Sequence, residues 1–352
     1  MKSAAFPTNP RDDLILTPEP AEVSSGSDQF RPVNDNVRTM RWTKRGVIFS
    51  VNGQADWMVH HACVPVVDKI EPDRLRIYFA PRDRQGRSRV TFIEVKADNP
   101  QNVLYVHNRP ALDLGEVGCF DDSGVMPSSI VEFAGKKYLL YIGWNPGVTV
   151  PYRNSVGLAV SNDGGISFER VFPGPIVDRT RVEPYFCASP FALIDEGRWK
   201  LWYASSTGFV IVNNKPEPIY QVKYAESPNG QEWIRHNIAC LPYSFEGEAN
   251  ARPCVLKENG LYRMWYCFRG SIDYRTNKEQ SYRLGYAESL DGIQWTRLDN
   301  FVGIDRSDQG WDSEMMEYPY VYEHKTRKYM VYNGNGFGET GFGYAILEEN
   351  KQ

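Results

Sequence analysis

Five stretches of this chain place acids, amides, histidines or arginines a few residues ahead of a proline that opens an apolar run. They read HHACVPVV at 60–67, DSGVMPSSIV at 122–131, FCASPFALI at 186–194, EANARPCVL at 248–256 and EMMEYPYVY at 314–322. Carboxyls gathered at one place repel one another and lose hydration unless cations or ligand hydroxyls compensate them. Such a gathering suits glycosyl chemistry. One carboxyl with a raised pKa protonates the leaving oxygen, and an ionised one activates water or attacks the anomeric carbon. Asp122, Glu183, Glu248 and Glu317 are the candidate acid, base or nucleophile. His61, Ser123, Asn250, Arg252 and Glu314 join them as substrate-binding candidates from the same stretches. A second group comes from the ends of the aromatic strands that follow: Arg82, Asp83, Trp144, Asn145, Arg269, Asn333 and Asn335. Trp144 would stack on a sugar face, and the amides and arginines would bind hydroxyls or a charged substituent.

Plainer roles compete for several of these residues. Asp121 also precedes the second proline, but it equally suits a turn cap after Cys119-Phe120. Arg82 and Asp83 lie in RDRQGRSR, which reads as well as a solvent-exposed hairpin pair. Glu246 fits an outer loop. His60 and His61 are neighbours in a strand and should face opposite ways, so only one can line a channel. His61 is the better choice, since it shares Ser123's offset from proline.

The elements that must position these residues follow from the spacing. The prolines are Pro65, Pro127, Pro190, Pro253 and Pro319, separated by 62, 63, 63 and 66 residues. So even a period marks repeated supersecondary units. After each proline strand come an aromatic strand (RLRIYFAPRD, KKYLLYIGWN, RWKLWYASS, LYRMWYCFRG, RKYMVYNGNG) and a third strand. Three units continue through SNDGG, SPNG or SLDG into a fourth strand marked by an aromatic; Asn-Gly and Asp-Gly are strong hairpin signals. Four strands in each of five units describe an all-β, five-bladed β-propeller, whose first strands line the central channel. A β-sandwich does not explain the period. The fifth unit stops after its third strand, and TMRWTKRGVIF near the N-terminus would supply the missing outer strand and close the ring. Residues 1–35, rich in Pro, Ser, Asp and Asn, read as a flexible leader, and 36–352 as one propeller domain.

Composition narrows the partners. Of 352 residues, 41% are hydrophobic and 13% aromatic, enough for a real core. With 40 basic and 44 acidic residues the net charge is −4 and no long basic run occurs, which argues against nucleic acid or an anionic membrane. The six cysteines form no CxxC pair and read as free thiols of a cytoplasmic protein. No cofactor is required. A structural calcium would suit the channel of such a ring, but no motif signals one. Oligomeric state is not legible.

The turns SNDGGISF, YAESPNGQEW and YAESLDGIQW, together with the proline strands, resemble the five-bladed propellers of the glycoside hydrolase 43/32/68/130 superfamily. FDDSGVMPS, YIGWN, ARPCV, MWYCFRG and MEYPYVY…YNGNGFG extend the likeness over residues 40–347 and resemble a glycosidase-like group found with polysaccharide-synthesis enzymes. The resemblance implies a carbohydrate-active enzyme that cleaves or transfers a glycosidic bond in a central acidic pocket. Two departures stand out. HHACVP lacks the catalytic aspartate such hydrolases carry near the first proline strand, Asp56 lying several residues earlier. The usual order of two aspartates and a glutamate has no clean copy. Phosphorolysis or transfer, with Arg181, Arg252 or Arg269 holding an anionic group, remains open. So do a non-catalytic glycan-binding propeller and chemistry on a small non-sugar metabolite. Two carboxyls roughly 5–10 Å apart across a cleft would favour glycosyl chemistry; one isolated acid among arginines and histidine would favour the alternatives.

Overall fold

The computed structural model describes residues 39–348; the leader expected over 1–35 lies outside them. The described strands form five four-stranded antiparallel sheets, four of them running outward in chain order from a proline strand and the fifth taking its outermost strand from the start of the described chain. The five inner strands are His60–Glu71, Gly124–Phe133, Cys187–Asp195, Ala249–Glu258 and Glu317–His324. The second strands are buried on both faces because each sheet packs between two others. Ile77, Tyr78, Phe79 and Ala80, for example, are all fully buried, which is why these runs are apolar without alternation.

The ring closes as the sequence suggests. Trp42–Phe49 pairs with Phe342–Leu347 as the outermost strand of the fifth blade, with Thr43 opposite Ile346 and Phe49 opposite Phe342. Asn333 stitches the seam: its Oδ1 accepts from the Val64 amide (2.8 Å) and its Nδ2 donates to Ala62 O (2.7 Å).

The three Ser-x-Asp/Asn-Gly turns share one hydrogen-bond scheme. Ser161, Ser227 and Ser289 hydroxyls accept the amides of Gly165, Gly230 and Gly292, whose φ values of 88°, 75° and 77° only glycine adopts easily. The turns also fasten neighbouring blades. Tyr78 donates to Gly165 O (2.6 Å) and Trp202 to Gly292 O (2.7 Å), while Phe168 packs on Tyr78 and Trp295 on Trp202.

The proline stretches are bulges in the inner strands. In blades 1, 3, 4 and 5 the ladder slips beside the proline, and the residue before it takes a left-handed φ: Val64 56°, Ser189 49°, Arg252 55° and Tyr318 54°. That region is strained for ordinary residues, and above all for β-branched valine. A bulge adds one residue to one strand and re-aims the side chains beside it. In blade 2 the slip falls after Pro127 instead.

All six cysteines are free, and all but Cys119 are buried. Among the described residues no helix is long and apolar enough to cross a membrane.

Candidate functional site

Four acids ahead of the prolines are committed to one recurring contact. In blade 2, Asp121 accepts from the Tyr141 hydroxyl (2.9 Å) and from Arg170 Nε (2.8 Å). In blade 3, Glu183 accepts from Tyr203, from Ser205 Oγ (2.6 Å) and from Arg235 (2.7 Å). In blade 4, Glu248 accepts twice from Arg297 (2.8 and 3.0 Å), and Arg297 also holds Asp299, to which Tyr266 donates. In blade 5, Asp312 accepts from Tyr332 (3.0 Å) and pairs with Lys44 (2.7 Å) of the closing strand. The cations occupy equivalent positions: Arg170, Arg235, Arg297 and Lys44 lie opposite Ala159, Ala225, Ala287 and Ala345. Each set ties the loop before an inner strand to the second and outermost strands of its own blade. Burial would raise the Glu183 carboxyl, but Arg235, Ser205 and Lys223 outweigh it and hold the pKa below its ordinary value.

Blade 1 has no such clamp, and the whole set is replaced. Phe79 stands at the tyrosine position and packs on Phe49 and Phe342. Ile93 opposite Val106 replaces the alanine and its cation. The missing acid of HHACVP therefore belongs to an apolar substitution of the clamp, which a hydroxyl without an acceptor would destabilise.

The central cavity, about 350 Å³, is walled by Trp144, Tyr152, Tyr274, Tyr282, Tyr318 and Phe337. Arg82, Arg275, Asn154, Cys63, Met126, Gly86 and Pro151 complete its lining. Beneath it a smaller hollow of about 90 Å³ reaches the axis, where Val64, Met126, Ser189, Ala251 and Tyr318 meet. Among the described residues no carboxylate lines either space. Arg275, paired with Glu217, and Pro151 also border an outer cleft of about 510 Å³ between the loops of blades 2, 3 and 4.

One acid lies just behind this wall. Glu317 is fully buried, and neither carboxyl oxygen has a hydrogen-bond partner. Burial pushes its pKa well above the ordinary value, against the pull of the charges of Arg82 and Arg269. The cations near the centre of the ring are held differently. Arg269 lies over the Tyr274 ring (3.7 Å) and donates to the Tyr220 and Tyr282 hydroxyls. Arg252 crosses the axis to Pro65 O of blade 1 (3.2 Å), leaving Nε and Nη1 without partners. Arg82 lines the cavity, its buried Nε without a partner.

The other sequence candidates scatter. Trp144 faces the cavity and donates to Ser88 Oγ (3.0 Å). Asn145, next along the strand, turns instead to Cys119 O and Asp122. Burial raises the Asp122 carboxyl, but hydrogen bonds from Gly118, Ser123 and Asn145 bring it below its ordinary value, within a loop. Asp83 is taken up by Arg87 and Arg89 of its own hairpin. Asn250 accepts the Val222 amide, and Asn335 accepts the amides of Glu314 and Met315, with Glu314 itself exposed. Arg181 is exposed. His60 and His61 do not alternate as expected. His61 has φ 61°, which breaks the strand geometry and brings the two Nδ1 atoms within 2.5 Å. Burial, then the charge of Arg82, lowers the His61 pKa to about 4.

Sequence reasoning missed most of the wall: Cys63, Met126, Tyr152, Asn154, Tyr274, Arg275, Tyr282, Tyr318 and Phe337. Two signals were present. Cys63, Met126 and Tyr318 stand one or two residues before a proline, and Asn154, Tyr220 and Tyr282 each lie five residues before the third-strand alanine.

Two proteins of Mycobacterium tuberculosis, uncharacterized proteins MT1551 (strain CDC 1551) and Rv1502 (strain H37Rv), are each 38% identical over 310 residues, 88% of this chain and all of theirs. The chain belongs to their family. No family model matches it. Among solved structures, one from the GH130 family of mannoside phosphorylases and glycoside hydrolases superposes with TM-score 0.67 at 12% identity, covering 91% of this chain and 97% of that one. A glycosyl hydrolase from Bacteroides ovatus gives 0.65 at 14% identity, over 92% and 98%. A thermostable family-43 glycoside hydrolase gives 0.61 at 17% identity, over 85% and 91%. These likenesses establish the fold, a five-bladed propeller.

Proposed function

We propose that this protein binds a saccharide in the aromatic cavity at the mouth of the ring, without the pair of carboxyls used in two-acid glycoside hydrolysis. The observation that carries this reading is the fate of the acids. Glu183 and Glu248 are held in ion pairs within their blades, Asp122 sits in a loop network, Glu217 is paired with Arg275, and Glu317 lies behind the cavity wall. Aromatic faces with a few hydroxyl, amide and guanidinium groups suit a sugar's alternating C–H and O–H surfaces. The fold's glycoside hydrolase and phosphorylase neighbours support a carbohydrate ligand. Calorimetric titration against a panel of saccharides should give saturable binding, with no new product after long incubation. Replacing Trp144 by Ala should weaken that binding. Unchanged affinity in W144A would place the ligand elsewhere.

A second reading has its own observation. A buried carboxyl whose pKa is raised, close to a pocket, is what a general acid requires. If Glu317 protonates a leaving group in glycosyl transfer, product will form, and Glu317→Gln will abolish it while binding persists.

A further inference from the structure

We infer that the ligand of the central cavity is an anionic saccharide, whose carboxylate or phosphate is received by Arg82; this rests on the carbohydrate reading above. Arg82 ends the second strand of blade 1, opposite His60 at the start of the inner strand, and its guanidinium reaches the cavity wall beside Cys63, Tyr318 and Phe337. Among the described residues it makes no ion pair, and its buried Nε has no hydrogen-bond partner. The contrast with Arg275 on the same wall is direct, since Arg275 pairs with Glu217.

The surroundings do not neutralise Arg82. Arginine keeps its charge in proteins. Arg252 and Arg269 add two more cations at the centre, both fully buried and neither ion-paired among the described residues. Burial disfavours the charged form of Glu317, the acid beside Arg82 and Arg269, and so weakens the counter-charge it can offer. His61 and His60 beside Arg82 contribute no negative charge. A buried centre with more cations than anions is costly unless a ligand completes it. A guanidinium's planar fork matches carboxylate and phosphate oxygens, and both present the same chemistry to it. The aromatic walls would take the ring of the sugar while Arg82 takes its charge. The outer cleft, joined at Pro151 and Arg275, leaves room for the remainder of a longer saccharide.

The test is calorimetric titration of wild type, Arg82→Gln and Arg82→Lys with four probes: a neutral methyl glycoside, its uronate, its 6-phosphate and inorganic phosphate. Wild type should bind the uronate or the 6-phosphate about tenfold or more tighter than the neutral glycoside, and whichever is favoured identifies the anion. R82Q should lose that preference, its affinity for the charged probe falling to that for the neutral glycoside. R82K should retain part of the preference, and thermal melting of all three proteins checks the fold. Equal affinity for neutral and charged sugars, or a preference unchanged in R82Q, overturns the anion inference and leaves the carbohydrate reading standing. Arg82-dependent binding of inorganic phosphate with no saccharide bound keeps an anion site at Arg82 but overturns the carbohydrate reading and with it the saccharide of this inference. Binding of no probe at all overturns both.

Discussion

Glu248 and Glu317 are fully buried glutamates at the inner edge of adjacent blades, and they have opposite electrostatics. Glu248 stands five residues before its proline, in the loop that leads into the inner strand. There it meets Arg297 from the outermost strand of its own blade at 2.8 Å. Glu317 stands two residues before its proline, at the bulge, and has cations near it but no hydrogen bond. The same split runs round the ring. Asp121, Glu183 and Asp312 lie six or seven residues ahead of their prolines and are clamped. Cys63, Ala188, Ala251 and Tyr318, one or two ahead, reach the axis or its cavities. Offset from the bulge sorts structural acids from the one beside the cavity better than residue type does. Blade 1 shows the other half of the rule: with no acid to clamp, it dispenses with the tyrosine and the cation as well.

The sharpest way to break this comparison is Glu248→Gln. The change takes one of two carboxylates from Arg297, which keeps Asp299, so the variant should lose about 2–3 kcal/mol in denaturant unfolding. A loss under about 1 kcal/mol would show that the clamp is not structural. Next in size is Phe79→Tyr in blade 1, which introduces a buried hydroxyl where no clamp acid waits. It should cost about 1–3 kcal/mol. If F79Y is neutral, the apolar version of the clamp is not specified by its missing acid. The reverse exchange in blade 5, Tyr332→Phe, removes one hydrogen bond to Asp312 and leaves Lys44 in place. A cost of about 1 kcal/mol is expected by the same measurement.

The last two changes are read by sign. Because the folded pKa of Glu317 is raised, the native state holds its proton where the unfolded chain, near pH 4.3, has begun to lose it. Its contribution is therefore present below that value and is lost as pH rises toward the folded pKa. Glu317→Gln should be more stable than wild type at neutral pH, with a flatter pH profile. Glu183, with a lowered pKa, works the other way: its contribution is present above about pH 4.3 and is lost as pH falls through the folded value. Glu183→Gln should thus flatten the acid limb of the unfolding curve. Like-signed responses in the two variants would dissolve the distinction between clamped and unclamped acids.

Much of the ring was legible in the chain. The near-constant proline spacing, the Asn-Gly and Asp-Gly turns and the unit left one strand short specify the blades and their closure. Turn geometry and strand pairing between chain neighbours are local, and local chemistry is written in consecutive residues. The site was legible only in part: Arg82 and Trp144 were read onto the cavity, whereas Asn333 proved to be a seam residue and Asp83 a hairpin residue. Two physical causes account for the rest. A bulge shifts the alternation of side chains by one, so a residue's phase before the proline cannot be counted from an ideal strand. The partner of a buried acid also arrives from a different strand, as Arg297 does from 49 residues beyond Glu248. The sequence alone determined that acids precede the prolines; only the packed blades decided which would be neutralised, because that depends on the cation each one meets across the sheet.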